Sequence, residues 1–282
     1  MTLVFACEVV PSGGRPTGES ETETIVQNLR RAGYPESEIN VHGEQVFVGN
    51  DAVVSLRASE EMVGGPSGPS LPGNDGERQY STTNLVDDSV RTICIDGSAY
   101  DGVLSDALDD ALDEFNGESL CFSMTRDLGS DCHATIVAKE MDGTGGQAGF
   151  PSGGLPYGEF YVGTSILERP VAKHVIVHEI GHCIGLRHTD YYNRSISCGS
   201  GGDEGQAGVG ANHIPGTPED AVYGGSVMNS CYNDGSDGNW SDGDEIALDY
   251  LYGGECGGGE EGGEEEGGEE EGGEEEGGEE EG

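Results

Sequence analysis

The apolar positions between residues 90 and 185 follow two different periods. Short β-branched and apolar runs are typical of strands, and two longer runs repeat apolar residues every three or four positions, as amphipathic helices do. The predicted strands cover residues 90–95, 120–124, 134–138, 147–150 and 159–162, and the predicted helices cover residues 103–115 and 171–184. This order predicts an α+β fold in which a twisted sheet packs against both helices.

The segment before this alternation is predicted to form a separate N-terminal region. It contains a predicted helix at residues 19–31, a short strand at 45–48 and another short element at 51–62. The Gly/Pro/Ser-rich stretch at residues 64–76 has the composition of a linker, so we place a domain boundary there and assign residues 1–78 to the region. Such a small region has a poor core of its own. Both a pro-segment and a plain spacer fit it.

The chain after residue 190 is rich in glycine. Residues 191–225 are predicted to form a long loop that needs disulfides or ions to hold it. A last helix is predicted from Ser241, which can cap it with Asp244 as the acidic partner at the third position. Residues 257–282 repeat Gly-Gly-Glu-Glu-Glu, cannot bury apolar surface and are expected to be disordered. The folded domain is therefore assigned to residues 79–256.

The chain is strongly acidic, with a formal net charge of −43. The C-terminal repeat holds 14 of the 55 acidic residues, so the folded part is acidic too. Nucleic acid is excluded as a partner because its phosphates would be repelled. An acidic surface can hold Ca²⁺, but no matching loop is found: the stretch from Asp237 lacks the glycine and glutamate of an EF-hand. No apolar run reaches the ~18 residues needed to span a membrane.

Eight cysteines are many for a cytosolic enzyme. None stands in a C-x-x-C pair, so their even number favours disulfides and an oxidising compartment over a zinc finger or a redox motif. Eight cysteines allow 105 connectivities. The most local pairs, Cys183 with Cys198 and Cys121 with Cys132, are our hypothesis.

The first residues bear on localisation. Residues 3–7, Leu-Val-Phe-Ala-Cys, resemble the end of a bacterial lipoprotein signal but lack a basic start and a full apolar core. A truncated signal and a chance match both fit. We expect an extracellular or cell-surface protein, with Cys7 as the site of a lipid anchor if the signal is genuine.

One motif carries metal chemistry. His178 and His182 are four residues apart, so on a helix both lie on one face and can bind one metal ion. Glu179 stands beside the first histidine, where it suits a general base for a water at the metal. Gly185 can end the helix with a positive φ and let His188 return as a third ligand. Three imidazoles with one open position are typical of a catalytic zinc site.

This motif resembles the metzincin signature, H-E-x-x-H-x-x-G-x-x-H followed by a Met-turn. The Met-turn candidate is Met228, and the wording HEIGHCIGLRHTD looks like that of the bacterial dual-action HEIGH metallopeptidases. Residues 240–253 are also similar to the last helix of many metzincins. The resemblance implies a metzincin-like domain with a twisted mixed five-stranded sheet, two long helices and a Gly-rich C-terminal subdomain that carries the Met-turn and the final helix.

The resemblance also implies roles for single residues. The three histidines would hold one catalytic zinc, and Glu179 would be the general base. Met228 would form an apolar floor beneath the histidines without touching the metal. Asp190 is expected either to orient a ligand imidazole or to pin the turn after the third ligand. Several metzincins place a tyrosine two residues after the methionine, but this chain has Ser230 there and Tyr232 out of register.

Substrate binding is expected at an edge strand above the metal, as in metzincins. A substrate would pair with its backbone in the manner of an added strand. The residues in that place are Gln147, Ala148, Gly149 and Phe150.

The function that follows is a monomeric zinc endopeptidase acting on proteins or peptides. The alternative is a non-catalytic acidic extracellular binding protein that retains the fold. If residues 1–78 are a pro-segment, Asp51 is the candidate for latency. The stretch from Phe47 to Asp51 resembles the Phe-x-Gly-Asp motif of astacin-like pro-segments, with Asn50 inserted, and the aspartate would occupy the metal's open position. A plain surface turn fits the same residues.

Overall fold

The computed structural model describes residues 20–34, 36, 39–48, 51–64, 79–129, 131–200, 203–204, 211–217 and 221–254. The candidate lipid anchor Cys7, most of the predicted linker and the acidic tail lie outside these residues. The predictions made for them stay predictions.

The described residues contain the predicted alternation of strands and helices. The helices are α1 (Glu21–Ala32), α2 (Leu56–Gly64), α3 (Gly102–Gly117), α4 (Arg169–Ile184), α5 (Ser195–Cys198) and α6 (Asp242–Tyr252). The strands are β1 (Ile39–His42), β2 (Gln45–Val48), β3 (Ala52–Val53), β4 (Tyr80–Ser81), β5 (Thr92–Asp96), β6 (Ser123–Thr125), β7 (Ala134–Met141), β8 (Gly146–Gly149), β9 (Glu159–Gly163), β10 (Leu186–Arg187) and β11 (Asn212–His213).

The main sheet has the order β1-β2-β3-β8-β9-β7-β5-β6. Strands β6, β5, β7 and β9 run parallel, whereas β8 is antiparallel to β9. Helices α3 and α4 pack against each other. Their apolar faces bury one core with the strands, including Ile93, Leu108, Phe115, Phe160 and Ile176. The fold is therefore α+β with a mixed sheet, as predicted.

The size of the sheet corrects the sequence-based prediction. Five strands were expected, but the sheet has eight among the described residues. The three additional strands come from the N-terminal region, where β3 pairs in parallel with β8 through Ala52 and Ala148. The outer edge of β8 offers unpaired backbone groups, and the N-terminal region satisfies them. This region is therefore part of the same sheet.

The N-terminal region has a small core of its own. Ile25, Leu29, Val46 and Met62 are buried together, and the cluster takes Phe150 from the end of β8. Helix α1 begins with a capping box between Ser20 and Glu23 and ends at Gly33 in the left-handed region. One shared aromatic side chain thus joins this region to the main domain.

The ends of helix α4 and the start of helix α6 are set by identifiable residues. Helix α4 has Pro170 in its first turn and ends at Gly185, whose φ is 110°. A side chain at that position would be strained and would also approach Leu85 and Thr82. Helix α6 starts with the expected capping box between Ser241 and Asp244. The turn that follows α4 is therefore fixed by a single glycine.

The disulfides correct both predicted pairs. Cys94 bonds Cys132, and Cys198 bonds Cys231. Cys183 is a free, fully buried thiol, because helix α4 turns it into the apolar core. Cys121 is disulfide-bonded, but not to Cys132. Proximity along the chain did not predict these pairs, because the tertiary fold brings together cysteines that are 38 and 33 residues apart. Within the described ranges, no helix is long and apolar enough to span a membrane.

Candidate metal centre and cleft

Three imidazoles converge at the C-terminal half of α4. His178 and His182 share one face of the helix, and the turn at Gly185 returns the chain so that His188 meets them. The Nε2 atom of His188 lies 3.2 Å from that of His182 and 3.3 Å from that of His178. All three side chains are buried. Their spacing leaves room for one ion between them.

Each imidazole has its Nδ1 atom occupied by an oxygen acceptor. His178 Nδ1 lies 2.8 Å from the carbonyl oxygen of Val227, and His182 Nδ1 lies 2.8 Å from that of Leu186. His188 Nδ1 lies 2.6 Å from Glu204 Oε1. A carbonyl oxygen cannot donate, so the protons of the first two rings stay on Nδ1 and their Nε2 lone pairs face the centre. This is the tautomer that a metal needs.

Asp51 from the N-terminal region completes the cluster. One ligand atom from each of Asp51 and the three histidines lies within 4.8 Å of the others. Asp51 Oδ2 is 3.2 Å from His188 Nε2. Burial opposes ionisation of the aspartate, but the neighbouring imidazoles outweigh it and hold the pKa of Asp51 well below its ordinary value. Its Oδ1 atom is buried without a hydrogen-bond partner. Three imidazole nitrogens and one carboxylate oxygen form a donor set that fits a divalent metal ion.

Glu179 lies beside this cluster. Its side chain is buried, and its Oε2 atom has no hydrogen-bond partner among the described residues. Burial and then the negative charge of Asp51 raise the pKa of Glu179 well above its ordinary value. Gly146 at the start of β8 leaves the space for this carboxylate, since a Cβ there would lie 2.3 Å from Glu179 Oε1.

Met228 and Asp190 contact segments that adjoin the three histidines. The Met228 sulfur packs against Gly181, where an added Cβ would lie 2.7 Å from it, and the methionine is fully buried. Asp190 does not contact a ligand imidazole. Its carboxylate accepts hydrogen bonds from the hydroxyls of Ser197 at 2.6 Å and Ser230 at 2.7 Å. These hydrogen bonds link the turn after His188 to helix α5 and to the residues that follow Met228.

The expected edge strand is covered in this chain. Strand β8 holds Gln147, Ala148 and Gly149, and Phe150 follows directly, but β3 occupies its outer side. The Ala148 amide donates to the Asp51 carbonyl oxygen at 2.9 Å. The strand that was predicted to receive a substrate is therefore an inner strand here, because the N-terminal region pairs with it first.

A cavity of about 400 Å³ opens beside the cluster. Its walls come from helix α4, the start of β8 and the residues after Met228, and they include Gly146, His174, Glu179, Ser230 and Tyr232. Tyr232, which stands out of register with the metzincin tyrosine, donates a 2.6 Å hydrogen bond to the carbonyl oxygen of Thr144.

Sequence reasoning missed Glu204 and Arg187. Glu204 stands in the glycine-rich segment, where no periodicity or motif marks it. Arg187 is one of the largest fully buried side chains, and it lies between Glu204 and Tyr34 of the N-terminal region. Its guanidinium also lies over the rings of Phe150 and Tyr191. Only its position next to His188 could have drawn attention to it.

Comparisons with known proteins agree with this site. Residues 46–252 match the family model of the dual-action HEIGH metallo-peptidases. The chain belongs to this family. The match begins at Val46, inside the N-terminal region, and therefore includes Asp51. Membership makes the protein a metallopeptidase that acts on proteins or peptides, as the HEIGH wording of the motif predicted.

Structural comparisons give weaker likenesses to solved structures. The HEIGH peptidase described here is similar to two structures of myroilysin. One is 13% identical, with a TM-score of 0.38, covering 61% of this chain and 98% of that chain. The other is 15% identical, with a TM-score of 0.35, covering 60% and 86%. TM-scores this low do not support any statement about the function of this chain. No curated protein matches the sequence.

Proposed function

We propose that this HEIGH peptidase is a zinc-dependent endopeptidase of the metzincin type. The observation that carries the proposal is the convergence of the three imidazole Nε2 atoms. The Nδ1 atom of each ring lies within hydrogen-bond distance of an oxygen atom, which orients the ring. Nitrogen donors in this number suit Zn²⁺ better than the oxygen-preferring Ca²⁺ or Mg²⁺. The open fourth position is the one that Asp51 occupies in the intact chain.

The protein residues have separate tasks in this proposal. Zinc, when bound, makes a water more acidic and polarises the scissile carbonyl. Glu179 accepts the proton of the attacking water and passes it to the leaving amine. Met228 supports the histidines through Gly181, and Asp190 keeps the third ligand in place.

We further infer that the N-terminal region keeps the peptidase latent. Two contacts support this. The Asp51 carboxylate faces the metal ligands, and β3 pairs with β8, where an extended substrate would add as a strand. Both contacts would be lost together if the linker between Gly64 and Gln79 were cut and the region left. An extracellular or cell-surface location is proposed as well, since the two disulfides given above favour an oxidising compartment.

The test is hydrolysis of casein by the purified chain after cleavage within residues 65–78 and removal of the N-terminal fragment. We expect cleavage that stops with a chelator and returns with added zinc. The matched control is the same chain with His182→Ala, which should neither bind zinc nor cleave casein. A folded, cleaved chain that binds one zinc ion but leaves casein and unstructured peptides intact would contradict the proposal and favour the non-catalytic binding protein.

A further inference from the structure

The third histidine differs from the other two in what holds its Nδ1 atom. His178 and His182 donate to main-chain carbonyl oxygens, which are neutral. His188 alone among the three faces a carboxylate, Glu204, at 2.6 Å. A carboxylate behind an imidazole orients the ring and increases the electron density on the nitrogen that binds the metal. The three ligands are therefore not equivalent.

Glu204 is built firmly into the fold although it lies in the glycine-rich segment. Its exposed fraction is 2%. Its amide donates to the Tyr191 carbonyl oxygen at 2.7 Å, which fixes the backbone. Arg187 lies 3.2 Å from Oε2, and Arg194 lies 3.1 Å from Oε1. The Ser230 hydroxyl approaches Oε1 at 3.4 Å.

These contacts keep Glu204 ionised in a buried place. A buried carboxylate without partners would become protonated, but two guanidinium groups lie against this one. One guanidinium lies against each oxygen of Glu204: Arg187 against Oε2 and Arg194 against Oε1, the oxygen that also faces His188 Nδ1.

We propose that Glu204 is a positioning residue for the metal: it sets the orientation and donor strength of His188. The inference rests on the proposed zinc function and adds to it a residue in a segment without any recognised motif. Arg187, adjacent in sequence to His188, and Arg194 hold Glu204 for this task. The side chain acts through His188 and does not contact the substrate.

The test measures zinc affinity in the intact chain by competition with a chromogenic chelator. Glu204→Gln keeps the shape but removes the charge, and we expect its dissociation constant for zinc to rise by about 10-fold to 100-fold. The matched control is Asp203→Asn, which removes the same charge from the exposed neighbouring residue and should stay within about twofold of the parent, well below the change expected at Glu204. The cobalt-substituted Glu204→Gln protein should also show a shifted visible absorption spectrum, because one ligand is reoriented.

A second variant guards against misfolding of the first. Glu204→Asp keeps the anion for the two arginines but withdraws it from His188 Nδ1, so its zinc affinity should also fall several-fold. If a folded Glu204→Asp or Glu204→Gln chain binds zinc like the parent and has an unchanged cobalt spectrum, the inference is overturned. Failure of the parent chain to bind zinc at all would instead count against the proposed function.

Discussion

At the scale of single residues, the decisive side chain is Glu179. It is buried beside the metal ligands, one of its oxygens has no partner, and Gly146 leaves space for it. A glutamine amide would fill the same space, so packing alone does not require a carboxylate at this position. Its burial without a partner costs stability, so a chemical role is the best explanation for its presence.

Replacing Glu179 by Gln should therefore leave zinc binding intact and lower kcat of the N-terminally cleaved protein by roughly 10²–10⁴-fold, the usual contribution of a general base. Zinc content by atomic absorption and peptide hydrolysis by chromatography measure the two effects. Glu168→Gln, an exposed carboxylate at the start of the same helix without a capping bond, is the control and should keep its activity. Turnover near the parental rate in Glu179→Gln would rule out the base assignment.

The convergence of the three histidines was the part of the candidate site that the sequence predicted best. Their spacing alone implies one helix face, a glycine turn and a returning third imidazole, which are local geometry. Glu204 could not be predicted this way. Its contact with His188 depends on the path of a glycine-rich segment, and glycine leaves that path open to many conformations.

At the scale of elements, the start of β8 controls the position of the base. Gly146 lies against Glu179, whereas Gly145 has no atom within 4 Å of an added Cβ. Gly146→Ala should displace the carboxylate and lower kcat of the cleaved protein at least tenfold, with little change in zinc affinity. Gly145→Ala is the matched control and should behave like the parent. Equal activity of both variants would show that the strand does not position Glu179.

The disulfide between Cys198 and Cys231 joins helix α5 to the segment that follows Met228. Its cysteines are 33 residues apart, so in the chain-entropy model it contributes roughly 4 kcal/mol to the free energy of unfolding. The double variant Cys198→Ser, Cys231→Ser should lower the denaturant midpoint accordingly. The Asp190 contacts to Ser197 and Ser230 span the same two segments. An unchanged midpoint would mean that these hydrogen bonds alone hold the segments together.

The elements of the main domain could be predicted from hydrophobic periodicity because each strand and helix buries a regular face in one core. The cysteine pairs could not. Cys94 in β5 meets Cys132 only when β5 and β7 are paired, and Cys198 meets Cys231 only when the segment after Met228 packs against helix α5. Such contacts follow from the tertiary fold, while the local guesses rested on distance along the chain.

At the scale of the whole molecule, the sequence suggested a boundary where the structure has a continuous sheet. The residues before Gln79 have the composition of a linker. Strands β1 to β3 nevertheless belong to the main sheet, because β3 pairs with β8. No pattern within β3 could reveal its partner, because the strand has only two residues. Among the described residues, the contacts that join the two parts include the β3–β8 pairing, Phe150 in the N-terminal core, the Asp51–His188 contact and the 2.9 Å bond from Arg187 to the Tyr34 hydroxyl.

In the proposed latent state, two separate contacts of the N-terminal region block the cleft. The Asp51 carboxylate faces the three histidines, 3.2 Å from His188 Nε2, and β3 pairs with β8 through its backbone. Asp51→Ala removes only the first block, because the bond from the Ala148 amide to the carbonyl oxygen of residue 51 is a main-chain bond and remains. Cleavage within residues 65–78 and removal of the fragment would lift both blocks.

The intact Asp51→Ala chain should therefore hydrolyse a chromogenic peptide of two or three residues but remain nearly inactive on casein, which needs the free edge of β8. The cleaved chain should hydrolyse both substrates. Glu60→Ala, an exposed carboxylate in the same region, is the control and should leave the intact chain inactive on both. The measurement is kcat/KM for the two substrates before and after cleavage. Casein hydrolysis by intact Asp51→Ala at the rate of the cleaved chain would show that the aspartate alone maintains latency and that β3 does not compete with substrate for β8.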